Sequence, residues 1–248
     1  MVKLIAVIAG CLMMMGSSAS AQTNNAASFA VVELFASEGC SSCPPADVLL
    51  QTLAQEASAK GQHFYPLTFA VDYWDYLGWK DPASDAAFTR RQQEYARAPA
   101  ADLYTPQMII NGQENFVGSD ERKARTAIAK YLAMPAATEI TAGAMPTAEE
   151  ITIVYKLSQS LQDFVLHVAL VEHHTESHPT KGENSGATLT HTNIVRAFKT
   201  VPVTDRTGTV ILARPQEDDL SPFSVIVYAQ SLKDLRILAA SEVALDHP

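Results

Sequence analysis

The apolar positions of this chain follow two different periods, one in each half. In the N-terminal half, residues 31–35 are apolar except for Glu33, and their β-branched valines suit a buried strand. Gly39 breaks that run, and Pro44 and Pro45 fit the first turn of a helix, where backbone N–H groups are spare. Leu49, Leu50 and Leu53 recur at helical spacing, so residues 44–59 are predicted as a helix that Gly61 ends. Residues 65–72 read as a second strand, and strand–helix–strand implies a parallel pair with a right-handed crossover. Ser84 then caps a helix running through Phe88, Arg90, Gln93 and Tyr95 to Arg97. The strand 103–110 meets Asn111-Gly112, a type I′ hairpin signal, and returns over 114–117. Gly118-Ser119-Asp120 introduces a helix over 121–133, with Ala127, Ile128 and Tyr131 on one face. The order is β-α-β-α-β-β-α.

Residues 135–150 are rich in Ala, Thr, Pro and Gly and read as a linker. Beyond them the period changes. Short strand-like runs at 151–157, 164–171, 189–198, 210–213, 225–229 and 237–240 are separated by turn signals, as in a small β-sandwich over 151–248. Residues 173–186 read as a polar loop between two of these strands.

Composition narrows the partners. The 248 residues are 47% hydrophobic, enough for a packed core, and carry a formal charge of −9. That charge argues against nucleic acid or an anionic membrane surface. Residues 1–21 read as a signal peptide: Lys3 gives a short positive lead, residues 4–15 are apolar, and Ala19-Ser20-Ala21 is an A-x-A cleavage pattern. The apolar run is too short for a stable membrane span. Ile8-Ala9-Gly10-Cys11 resembles a lipoprotein processing box, but the apolar run continues past Cys11, so cleavage after Ala21 is the preferred reading. Cleavage leaves Cys40 and Cys43 as the only thiols and makes the charge one unit more negative through loss of Lys3. Residues 22–28 read as a disordered lead. The expected compartment is the periplasm or the exterior of the cell, where disulfides form.

Cys40-Ser41-Ser42-Cys43 stands between a strand and a helix start. A helix N-terminus stabilises a thiolate through its dipole and free N–H groups, which lowers the thiol pKa. Cys40, ahead of the helix, reads as the exposed nucleophile. Cys43, in the first turn, reads as the sheltered thiol that resolves a mixed disulfide. Two plainer readings exist. A static disulfide here would close a tiny loop and gain little chain entropy. A zinc site would need a second ligand pair, and no cysteine follows residue 43.

Four stretches carry a resemblance: E-L-F-A-S-E-G-C-S-S-C-P-P-A-D from Glu33, V-D-Y-W-D-Y-L-G-W-K-D-P from Val71, Y-T-P-Q-M-I-I-N-G from Tyr104, and H-T-N-I-V-R from His191. With them the chain resembles a family of exported bacterial thioredoxin-like proteins catalogued as a domain of unknown function. The resemblance implies an α/β thioredoxin-like domain over 29–134, followed by the all-β sandwich. It places Thr105-Pro106 where thioredoxin carries a cis-proline that pairs with extended substrate. It sets Glu33 close to a buried acid that assists proton transfer at the resolving thiol, with the spacing off by one residue. The plain alternative for Glu33 is a strand-end carboxylate in water. The separation of Cys43 from Pro106 exceeds that of thioredoxin by an insertion within 73–101.

Residues 73–79 hold both tryptophans of the chain and follow the second parallel strand. They are expected at the sheet end that bears Cys40, with Tyr73, Trp74 and Trp79 as an apolar platform for a polypeptide. The plain alternative is that the indoles cap the core. Asp47 reads as ordinary complementation of the helix dipole. His173, His174 and His178 lie in the polar segment and are read as solvated, with no metal or other cofactor assigned. His191, Asn193 and Arg196 read as anchors of a hydrogen-bonded loop. The expected function is thiol–disulfide exchange with protein thiols or disulfides, reset by an unidentified redox partner. The alternatives are a binding module with a structural disulfide, and a copper carrier using Cys40, Cys43 and a histidine.

Overall fold

The computed structural model describes residues 27–96 and 103–245. The segment read as a signal peptide, all but the last two residues of the expected lead, and the expected end of the Ser84 helix at Arg97 lie outside the described residues.

Strand β1 (Phe29–Ala36) is buried along its whole length on both faces. It pairs in parallel with β2 (His63–Ala70), Phe29 facing His63 and Ala36 facing Ala70, and α1 (Pro44–Ala59) makes the crossover. On its other edge β1 pairs antiparallel with β3 (Gln107–Ile110), which turns into β4 (Glu114–Val117). The turn is Asn111-Gly112, with positive φ at both residues. A side chain at Gly112 would lie 1.9 Å from the Leu235 carbonyl oxygen, so glycine is required by packing as well as by backbone. Helix α2 (Ala86–Tyr95) is capped by Asp85, one residue after the expected Ser84, whose carboxylate accepts from the Ala87 N–H at 2.6 Å. Helix α3 (Glu121–Leu132) closes the N-terminal half.

The expected linker contains a strand, β5 (Ile140–Pro146), which pairs with β6 (Glu150–Leu157). With β9 (Thr207–Ala213) these form a three-stranded sheet. The long strands β7 (Phe164–Ser177) and β8 (Leu189–Pro202) form an antiparallel hairpin, joined by β10 (Phe223–Ser231) and β11 (Ile237–Ala244). The polar loop expected at 173–186 therefore begins as strand and opens only after Ser177.

The expected thioredoxin-like domain and separate small sandwich are overturned. Strand β8 lies parallel to β2, with Ile194 opposite Thr68, and joins the two halves into one eight-stranded mixed sheet of order β11-β10-β7-β8-β2-β1-β3-β4. The Thr68 hydroxyl donates to the Thr192 carbonyl at 2.8 Å, and the Asn193 amide donates to the Pro66 carbonyl at 3.1 Å. The cores follow the sheet. Val32, Leu34 and Ala36 pack with α1 and α3 residues on one face. On the other, Val31 and Phe35 share a cluster with Phe69, Val171, Val195, Ile226 and Tyr228, which mixes both halves. A third cluster fills the space between the three-stranded sheet and β7, β10 and β11.

Glu33 points into the mixed cluster and is fully buried. Arg91 from α2 grips it at 3.0 and 3.2 Å, the Tyr228 hydroxyl donates at 2.9 Å, and the Tyr95 hydroxyl also donates. Arg91 continues to Gln230 at 2.7 Å, so the ion pair ties α2 and β1 to β10. Removing one member of such a pair strands a buried charge. Arg91→Met should lower the stability of the whole chain by about 3–5 kcal/mol in chemical denaturation. A transition that separates into two steps, with only one displaced, would show that the halves fold independently.

A two-thiol loop held between two segments

The C-x-x-C loop leaves the C-terminal end of β1, where Ala36 pairs with Ala70 of β2, and ends in α1. Cys43 is the helix cap residue, with Pro44 at the first helical position. The Cys43 N–H donates to the Cys40 carbonyl at 3.2 Å, which closes the loop. Both cysteines are free thiols and both are 1% exposed. Cys40 is therefore not the exposed thiol that its position implies, because neighbouring segments cover it.

What separates the thiols is electrostatic. Cys40 is lowered to about 6, first by the hydrogen bond from Cys43, against burial, and then by Ser42 and Thr105. The Ser42 hydroxyl stands 3.1 Å from Cys40 Sγ. Cys43 is pushed far up by burial, and further by the Cys40 charge that its proton serves. Reduced protein should take up iodoacetamide at Cys40 with a midpoint near pH 6, and Cys43 should stay unlabelled in the folded state. A midpoint at the ordinary thiol value would contradict this assignment.

On one side of the loop stands Thr105-Pro106, joined by a cis peptide bond. The Thr105 carbonyl lies 3.8 Å from Cys40 Sγ, whose thiol donates to it when protonated, and 3.3 Å from the Ser42 hydroxyl, whose one proton goes to this carbonyl or, when Cys40 is a thiolate, to the sulfur. Trp74 donates its indole N–H to the Thr105 hydroxyl at 2.8 Å, which leaves that hydroxyl its own proton to offer. Asp72–Leu77 form a 3-10 helix. Trp79 donates to Glu38 at 2.6 Å. Both tryptophans are half-buried and the Tyr73 ring lies tilted beside Trp74, centroids 6.5 Å apart, so these rings brace the loop. The aromatic that faces solvent is Tyr76, at 77% exposure.

Glu33 is not at the thiols. It has the parity of Val31 and Phe35, while Cys40 and Cys43 pack against Val32, Leu34 and Ala36 on the opposite face. A one-residue offset along a strand reverses the face, and Glu33 is taken up by Arg91.

The acid behind the thiols is Asp47, which is not an exposed dipole partner but buried against His191. His191 Nδ1 lies 3.3 Å from Asp47, and its Nε2 lies 3.4 Å from Glu38. Burial opposes charge on this ring, but the Asp47 hydrogen bond and the charges of Asp47 and Glu38 outweigh it and raise His191 to about 10. Asp81, which accepts from the Glu38 N–H at 3.2 Å, is raised to about 6 by burial and then by Glu38. This grouping spans residues 38 to 191 and no local spacing announces it; the polar His191 inside a strand-like run was its single trace. His173 and His174 lie on β7, and His178 meets Thr188 at 3.2 Å and Glu176 at 3.3 Å. Among the described residues no three His, Cys, Asp or Glu side chains are arranged to hold a metal ion, and no helix is long and apolar enough to cross a membrane.

Residues 31–230 match the model of a family described as protein of unknown function, DUF1223. The chain belongs to this family. The match runs from β1 to β10, through both halves of the large sheet. An X-ray crystal structure of a protein from Agrobacterium tumefaciens is similar over 90% of this chain and 96% of that one, with 27% identity and a TM-score of 0.66. HBP35 of Porphyromonas gingivalis shares the fold over 90% of this chain and 77% of that one, with 13% identity and a TM-score of 0.62. No curated protein matches the sequence.

The His191 pairing predicts a pH signature. His191 is protonated in the folded state up to about pH 10, against 6.5 for the free side chain. Its contribution to stability is complete below 6.5 and is lost as pH rises through about 10. The stability difference between the wild type and His191→Gln should therefore shrink across that window. A constant difference would mean that His191 is neutral between its two carboxylates.

Proposed function

We propose that this protein is an exported thiol–disulfide oxidoreductase acting on protein thiols or disulfides through Cys40 and Cys43. The observation that carries this reading is the opposed state of the two thiols: Cys40 is lowered to about 6, while Cys43 keeps its proton. A static disulfide gains nothing from such a difference, whereas exchange needs one thiolate ready to attack and one thiol held in reserve. The kinship with thioredoxin-like proteins is proposed at the level of this site, a C-x-x-C beside a cis-proline, and not of the fold. The signal peptide read over 1–21 supports export.

In the reducing direction the Cys40 thiolate attacks one sulfur of a substrate disulfide. A Cys40–substrate bond forms and the other substrate sulfur leaves as thiolate. Cys43 then loses its proton and attacks Cys40 Sγ, forming the Cys40–Cys43 bond and releasing the second substrate thiolate. Two electrons pass from the protein to the substrate, and a redox partner returns them. The reverse sequence oxidises a substrate dithiol.

Cys43→Ser should accumulate mixed disulfides on a non-reducing gel, because nothing remains to expel the partner from Cys40. Cys40→Ser should trap little, because the remaining thiol holds its proton. Equal trapping by both would overturn the assignment of roles. No trapping by either, with a wild-type disulfide that resists reductant, would replace exchange by the structural-disulfide reading.

A further inference from the structure

The turn between β7 and β8 lies against the C-x-x-C loop. Gly182, at φ +80, brings it close: a side chain there would sit 3.5 Å from Gly39 Cα and 3.7 Å from Trp79 Cβ. The next two residues reach one peptide unit. Glu183 accepts from the Ser41 N–H at 2.8 Å and from the Ser41 hydroxyl at 2.7 Å. Asn184 donates to the Cys40 carbonyl at 2.9 Å and to the Glu38 carbonyl at 2.9 Å. Both ends of the Cys40–Ser41 peptide are thus fixed by consecutive side chains from the far half of the chain. That peptide precedes Ser42, whose N–H and hydroxyl both serve Cys40 Sγ.

We propose that Glu183 and Asn184 are positioning residues for the Cys40 thiolate, clamping the Cys40–Ser41 peptide so that the Ser42 donors stay aimed at the sulfur. The proposal rests on the reading of Cys40 as the attacking thiolate. The clamp also explains why the turn is built as it is: the Gly186 N–H donates to the Pro179 carbonyl at 2.8 Å, so the segment holds its own shape while presenting two side chains. The ionisable groups around the sulfur are Cys43 from the helix cap, Tyr73 from the 3-10 helix and Glu183 from this turn, with Glu38 and His191 behind the loop. Preorganised donors stabilise a charge because they need no rearrangement when it forms. Loss of the clamp frees the peptide to rotate, and the donors are then shared with water.

The test follows alkylation of Cys40 by iodoacetamide against pH in the reduced full-length protein. Glu183→Ala and Asn184→Ala should move the midpoint upward by about one unit, so that labelling at about pH 5 slows about tenfold. Glu183→Gln should stay near wild type, because its amide oxygen still accepts from Ser41. Glu183 is exposed, so its variants fold and decide the question if Asn184→Ala does not. Unchanged midpoints in both alanine variants would overturn the proposal, leaving a structural tie. A downward shift shared by Glu183→Gln and Glu183→Ala would also overturn it, since loss of a like charge near the thiolate, and not of the hydrogen-bonded peptide, would then be at work. The readout is on the thiol alone. A wild type that labels normally yet traps no partner through Cys43→Ser would refute exchange while leaving the clamp in place.

Discussion

A strand with apolar side chains on both faces needs cover on both, and β1 finds its two covers in different parts of the chain. Helices α1 and α3 cover the face of Val32 and Leu34. Residues from β7, β8 and β10 complete the cover over Val31 and Phe35. The parallel pairing of β8 with β2 makes the second cover possible, since it carries the C-terminal strands into the same sheet. The Glu33–Arg91 pair lies within that cover and adds a directional constraint to an otherwise apolar contact. The thiol site depends on the same seam, because His191 enters at the start of β8 and the Glu183–Asn184 clamp sits in the turn before it.

The site is accordingly composite. One wall comes from Thr105-Pro106 and Trp74, and the other from a turn that follows more than a hundred residues after the cysteines. Both halves of the chain set the electrostatics of the two thiols. Cys43 and then Ser42 contribute hydrogen bonds toward Cys40, and burial holds the proton on Cys43. A second charged group, Glu38, Asp47 and His191, lies behind the loop and is itself sealed from water.

Much of this was legible in the sequence where the determinant is local. The C-x-x-C before Pro44-Pro45, the Asn111-Gly112 hairpin, the helices and the six C-terminal strand runs are each written within a dozen residues. The failures share one cause. Period and turn chemistry say what an element is and not which edge it pairs with, so the pairing of Thr68 with Ile194 is invisible to them and two domains are expected where one large sheet joins both halves. The Ala, Thr, Pro and Gly content of 135–150 masked β5, whose Gly143 and Pro146 are tolerated in a strand at the edge of its sheet. Glu33 was assigned to the thiols by resemblance, but strand parity sends it to Arg91. Cys40 was expected at the surface because nothing near it in sequence shows the segments that cover it.

The β2–β8 pairing also sets an order of events. A chain made from its N-terminus exposes the unpaired edge of β2, and the apolar face of β1, until residues 189–202 have appeared. Contacts of such separation form late and slowly, and an open strand edge in the meantime invites pairing with other chains. The first half alone is thus an incomplete object, with two thiols already present and neither its clamp nor its histidine. Truncation anywhere before β8 leaves the cysteines in a setting unlike the native one, so the thiol chemistry matures only when the last third of the chain has joined the sheet.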